Sequence, residues 1–179
     1  MRAPLPADVQ TVISQWGEMA SHWGLNRTEA QIHALLFLSP EPLDAQQISE
    51  TLSVARSHVS NSLKELQRWG IVRLVPVLGE RREHFESMKD VWEIFRAVAN
   101  EQKRREIDPW TGILRQSVAT LRESGKAAEY PRQKLAEMLE FFETLSAWQE
   151  DLKGLPTPAL RGFMKMGAKA ARLLGAGKK

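Results

Sequence analysis

The chain has 179 residues, 42 % of them apolar and 26 % charged, enough for one ample core or two small lobes of an ordinary globular protein. It contains no cysteine, which excludes disulfides, thiolate metal sites, iron–sulfur clusters and cysteine catalysis. The net charge of +3 hides an asymmetry: residues 155–179 carry six basic residues and no acid, leaving −3 for the remainder. Whole-chain charge is therefore a poor guide to partners, and the placement of charge must carry the reading.

No apolar run is long enough to span a membrane, and the opening MRAPLPADVQ lacks an apolar signal region, so a cytoplasmic protein is expected. The four histidines make no i, i+4 pair and no HExxH, so no metal is expected. A Gly-rich phosphate loop and a GxSxG motif are both missing from the text. The expectation is a non-enzyme without a cofactor.

In chain order, Asp8 to Trp23 has Val9, Val12, Ile13, Trp16, Met19 and Ala20 at helical spacing, and Gly24 closes it. Asn26 can cap a second helix from Arg27 to Ser39, broken by Pro40 and Pro42. Asp44 is placed to cap a short helix to Leu52, and Ser53-Val54 makes a turn. The next helix has Val59, Leu63 and Leu66 on one face, Trp69 at its edge, and Gly70 as the stop. Ala55 stands where a capping Ser or Thr would be expected; Ser53 or Ser57 are the substitutes nearby.

The opposite face of that helix carries Ser57, Asn61, Lys64 and Arg68, flanked by Arg56, His58, Ser60 and Gln67. Amide, hydroxyl, imidazole, ammonium and guanidinium groups are those that read base edges and hold phosphates. The major groove admits one α-helix, so such groups must share a face. A polar outer face alone also suits an ordinary solvated helix; its neighbours decide. Ile71–Val75 and Glu83–Glu86 are β-rich and enclose a Gly79 turn, a hairpin with Arg81 and Arg82 near its tip. Such a tip can enter a minor groove, although Glu80 and Glu83 limit its positive charge.

Ser87 or Asp90 then opens a long helix to Ile107, and Asp108-Pro109 reads as an N-cap followed by Pro at the first helical position. That helix should end near Gly125. Another runs from Pro131 to about Gly154, and Leu155–Pro158 links it to a basic tail. In the tail, Arg161, Lys165, Lys169 and Arg172 share one helical stripe, suited to lipid headgroups or DNA phosphate, or simply to solvent.

The text WGLNRTEAQIHALLFL, then ISETLSVARSHVSNSLKEL, the hairpin and the segment REIDP resemble the MarR superfamily of winged helix-turn-helix transcriptional regulators. Within it, the chain is similar to the GbsR-like branch over roughly residues 10 to 115. The resemblance implies a mainly α fold, a winged helix-turn-helix with a small β-hairpin wing flanked by N- and C-terminal helices that form a dimerisation lobe. It places Arg56, Ser57, Ser60, Asn61 and Lys64 on the reading helix, and implies a homodimer on a pseudo-palindromic operator in double-stranded DNA. A small-molecule effector often eases such regulators from DNA.

The resulting division is 1–39 for N-terminal helices, 40–87 for the winged unit, 88–154 for C-terminal helices with an effector pocket, and 155–179 for the basic tail. DNA contacts are expected from Arg56, Ser57, His58, Ser60, Asn61, Lys64, Arg68, Arg81 and Arg82. Six Trp residues supply ring faces, and Trp16, Trp23 and Trp110 are candidates for an effector cage, with plain packing as the alternative. The expected function is a sequence-specific DNA-binding regulator, a repressor responding to an effector. The alternative is a winged-helix module that binds another protein.

Overall fold

The computed structural model describes residues 5–22, 25–122 and 128–175, with side chains through 166. The chain divides into two compact units, 1–98 and 99–179.

The first unit begins with α1 (Ala7–His22) and α2 (Arg27–Leu38). Asn26 caps α2 as its sequence position suggests, its side chain accepting from the Thr28 and Glu29 N–H groups. The end of α1 expected at Trp23 and Gly24 lies outside the described residues. The other end of α2 is closed by a residue that the sequence did not single out. Lys89 Nζ donates to the carbonyls of Leu36, Phe37 and Ser39 at 2.9–3.1 Å. A cation there satisfies orphan carbonyls and lies at the negative end of the helix dipole.

Strand β1 (Leu43–Asp44) leads into α3 (Ala45–Leu52) and α4 (Arg56–Arg68). Asp44 and Gln47 form a reciprocal capping box at the start of α3. Ser53 turns the chain in the left-handed region at φ 53°, and Ser49 Oγ donates to the Val54 carbonyl across that turn at 2.7 Å. Ser53 thus ends α3 and does not cap α4. At the far end of α4, Gly70 adopts φ +74°. Its N–H bonds Gln67 and the Ile71 N–H bonds Leu66, the paired bonds of a Schellman stop.

Strands β2 (Val72–Val75) and β3 (His84–Ser87) form the wing. Leu43 and Asp44 pair with Phe85 and His84, so the expected hairpin is one side of a three-stranded antiparallel sheet ordered β1-β3-β2. Two residues carry too little periodicity to announce a strand, which is why the sequence reading has only a hairpin. The core lies between these layers: Ile32, Leu35 and Leu36 of α2, Ile48 of α3, Val59, Leu63 and Leu66 of α4, and Ile71, Val72 and Phe85. The apolar face assigned to α4 from its spacing is therefore the buried one.

Helix α5 (Val91–Gln102) is opened by Asp90, whose carboxylate accepts from the Trp92 and Glu93 N–H groups. Ser87 instead belongs to β3. The expected fresh start at Asp108 is corrected. Asp108 has helical dihedrals, and the chain passes through a π-turn (Lys103–Ile107) directly into α6 (Asp108–Leu121). The Asp108 N–H reaches the Lys103 carbonyl five residues back. Pro109 has no N–H and would crowd the carbonyl four residues earlier, so a wider turn accommodates it without breaking the helix. The Asp108 carboxylate takes Lys103 Nζ at 2.9 Å in place of capping the backbone.

In the second unit α6 packs on α7 (Glu129–Gly154), joined by Arg115 to Glu143 at 2.6 Å. Helix α8 (Thr157–Gly175) follows a short break at Leu155 and Pro156. The helix end expected near Gly125 lies outside the described residues. No helix among the described residues is long and apolar enough to cross a membrane.

Candidate nucleic-acid interface

Burying Val59, Leu63 and Leu66 turns the other side of α4 outward. Arg56, Ser57, His58, Asn61, Lys64 and Arg68 are all exposed, and Ser60 and Gln67 are half-buried at the edge of the same face. An open cleft of about 580 Å³ runs between this helix and the wing. Arg56, Ser60, Leu63, Lys64 and Gln67 of α4 line it, together with Leu74, Arg82, Glu83 and Phe85 of the wing and with Asp44 to Gln46. The structure therefore brings Arg56, Ser60, Lys64 and Arg82 onto one concave surface. Ser57, His58 and Asn61 stand on the exposed face of α4 outside that cleft. Arg68 is the last residue of α4 and is tied to Glu65 at 2.8 Å.

The first turn of α4 has no side-chain cap, because Ala55 has nothing to offer its N–H groups. These donors and the positive end of the helix dipole are presented beside Arg56, a combination that favours an anion.

The two wing arginines are not equivalent. The guanidinium of Arg82 donates to Asp44 Oδ2 at 3.0 Å, although its side chain stays largely in solvent. Asp44 is only 5 % exposed, and it also caps α3. Burial alone would push its carboxyl up; the Gln47 N–H and the Arg82 guanidinium outweigh this and hold it below the usual carboxylate range. The sequence places both arginines near the hairpin tip, but Arg82 turns back and clamps the wing to the start of α3. Arg81 is exposed and forms no ion pair with the described residues. The tip itself is a turn closed by the Glu80 N–H on the Val77 carbonyl, with Gly79 at φ +85°. Leu78 there is fully exposed, at 102 %. The sequence reading passed over Leu78, since one apolar residue in a loop carries no periodic signal.

A second recess, apolar and about 230 Å³, lies in the first unit. Trp16 and Met19 of α1, His33 of α2, Leu66 and Trp69 of the α4 end, and Val91 and Phe95 of α5 are among its walls. The indole Nε1 of Trp69 is buried without a hydrogen-bond partner among the described residues. Of the expected aromatic trio, Trp16 lines this recess, Trp110 belongs to α6 in the second unit, and Trp23 lies outside the described residues. His33 is buried, and burial, with Lys89 nearby, lowers its pKa to about 4. Its Nε2 lies 3.1 Å from Ser87 Oγ, whose hydrogen goes to the Met88 carbonyl, so Nε2–H is the donor of that pair. Among the described residues no cluster of His, Asp and Glu could hold a metal ion.

Two helices joined by a tight turn, the second exposing a polar face beside a three-stranded wing, define a winged helix-turn-helix. Residues 23–83 of this chain match the model of the MarR family. A crystal structure of a transcriptional regulator is similar to it, with a TM-score of 0.64 and 19 % identity over 82 % of this chain and 96 % of that one. At that identity the likeness speaks for the fold. Lower-scoring similarities, both with a TM-score of 0.38, are to a MepR mutant of S. aureus bound to an oligodeoxyribonucleotide and a transcriptional regulator from Thermotoga maritima. The first is 15 % identical over 77 % of this chain and 90 % of that one. The second is 18 % identical over 83 % of this chain and 94 % of that one. No curated protein matches the chain.

Proposed function

We propose that this protein is a sequence-specific regulator of transcription that binds duplex DNA through α4 and the wing. The observation that carries the reading is the shared cleft: Arg56, Ser60 and Lys64 from the helix line it together with Arg82, with Asn61 and Ser57 exposed alongside. Asn61 is the candidate for reading a base, since its amide both donates and accepts. Arg56, Lys64 and the uncapped first turn of α4 suit phosphates, and Arg81 is exposed near the wing tip. Two copies of such a head would read a pseudo-palindromic operator.

The dimer is proposed from unsatisfied apolar surface. Trp110 and Ile113 on α6, and Met138, Phe141 and Trp148 on α7, are exposed, and α7 has no fully buried residue. Faces of that size on long helices suit a second copy. Repression, and its relief by an effector, follow the MarR and GbsR-like resemblance. The apolar recess beside Trp16 supports an effector site there: its walls include Leu66 and Trp69 at the end of α4, so an occupant touches the reading helix directly.

A gel shift of fragments upstream of genes, at low and moderate salt, tests the proposal against a protein-binding winged helix. Affinity should fall steeply with salt, with a slope of roughly −0.9 per phosphate contacted. A protein that retards none of the fragments at low salt is not a DNA-binding regulator.

A further inference from the structure

We infer that α8 is an anionic-membrane contact: an amphipathic helix that lies on a lipid surface, its basic stripe toward acidic headgroups and its apolar residues in the acyl boundary. The helix runs from Thr157 to Gly175 after the break at Pro156. Leu160 is buried, yet the next three large apolar residues are not: Phe163 is 39 % exposed, Met164 54 % and Met166 57 %. Arg161 and Lys165, four apart, are exposed among them. In the sequence Lys169 follows four residues on and Arg172 three beyond it, then Lys178 and Lys179, with no acidic residue after Asp151.

Charge and apolarity together select the occupant. DNA phosphates would answer the basic stripe but offer nothing to Phe163, Met164 and Met166. A second copy of α8 would cover the apolar residues but set one basic helix against another, since residues 157–175 contain no acid. An acidic bilayer surface answers both at once, through headgroup charge and through burial in the acyl boundary. The helix is not apolar enough to span, so it lies on the surface.

The test is co-sedimentation of the full chain with vesicles of phosphatidylcholine alone, and with roughly a third phosphatidylglycerol, at low and high salt. Binding at least tenfold stronger to the anionic vesicles, lost at high salt, is the expected result. Arg161→Gln with Lys165→Gln should lower that binding on the order of tenfold or more, and Phe163→Ser with Met164→Ser should lower it comparably, in chains whose circular dichroism is unchanged. Equal binding to neutral and anionic vesicles overturns the inference. So does a loss of DNA affinity in the charge variant with vesicle binding intact, which makes the stripe a DNA contact. Conversion of the Phe163/Met164 variant to a smaller oligomer, with vesicle binding intact, assigns the face to a contact between copies.

Discussion

Asn61 and Lys64 lie one turn apart on the exposed face of α4, yet their chemistry separates their roles. Asn61→Ala should relax base preference at one position by about 1–3 kcal/mol, while Lys64→Ala should weaken all sequences alike and flatten the salt slope by about one. Binding of matched and mismatched duplexes across salt separates the two; identical profiles for both variants would contradict the assignment. The wing arginines divide differently. Arg81→Ala should cost DNA affinity several-fold without loss of stability. Arg82→Ala instead removes a partner from the buried carboxylate that caps α3, so it should lower the melting temperature as well. Equal melting temperatures for the two variants would show that the Asp44 contact contributes nothing.

His33 gives a pH dependence with a definite sign. The unfolded chain protonates this ring near 6.5, whereas the folded chain resists until about 4. Stability linked to His33 is therefore complete above pH 6.5 and is lost as pH falls toward 4. Across that window the loss is about 3 kcal/mol. Denaturant midpoints between pH 7 and 4 should fall more steeply for the native chain than for His33→Gln. Parallel curves would remove His33 as the cause.

At the scale of elements, the start of α4 is the informative departure. Ala55 leaves its first turn uncapped at backbone angles that a capping residue could adopt. Ala55→Asp should stabilise the fold by about 1 kcal/mol and, by placing a carboxylate where a phosphate would sit, weaken DNA binding. A stabilised variant with undiminished DNA affinity would show that no phosphate occupies that turn. Much of this unit was legible in the text because period 3.6 sorted Val59, Leu63 and Leu66 from Asn61 and Lys64, and because Asn26, Asp44 and Gly70 are strong end signals. Features set by distant partners were not legible. Lys89 closing α2 from some 50 residues away, β1 completing the sheet, and Arg82 turning back to Asp44 all depend on tertiary placement. The π-turn before Pro109 was misread for a related reason: Asp-Pro is a common helix start, and only the continuous backbone shows that the helix absorbs the proline.

At the scale of the molecule, exposed aromatic and apolar residues on α6 and α7 argue for a dimer, and sedimentation at micromolar concentration should find two copies. A monomer there would contradict the pairing of two reading heads on one operator. The central claim is that α4 and the wing read a specific duplex sequence. Selection from a random duplex pool tests it most directly, with the native chain and the Asn61→Ala/Lys64→Ala double variant run side by side. The native chain should enrich a two-fold symmetric sequence with half-sites about one helical turn apart, and the double variant should not. Enrichment of the same sequence by both chains, or of none by the native chain, would contradict the account.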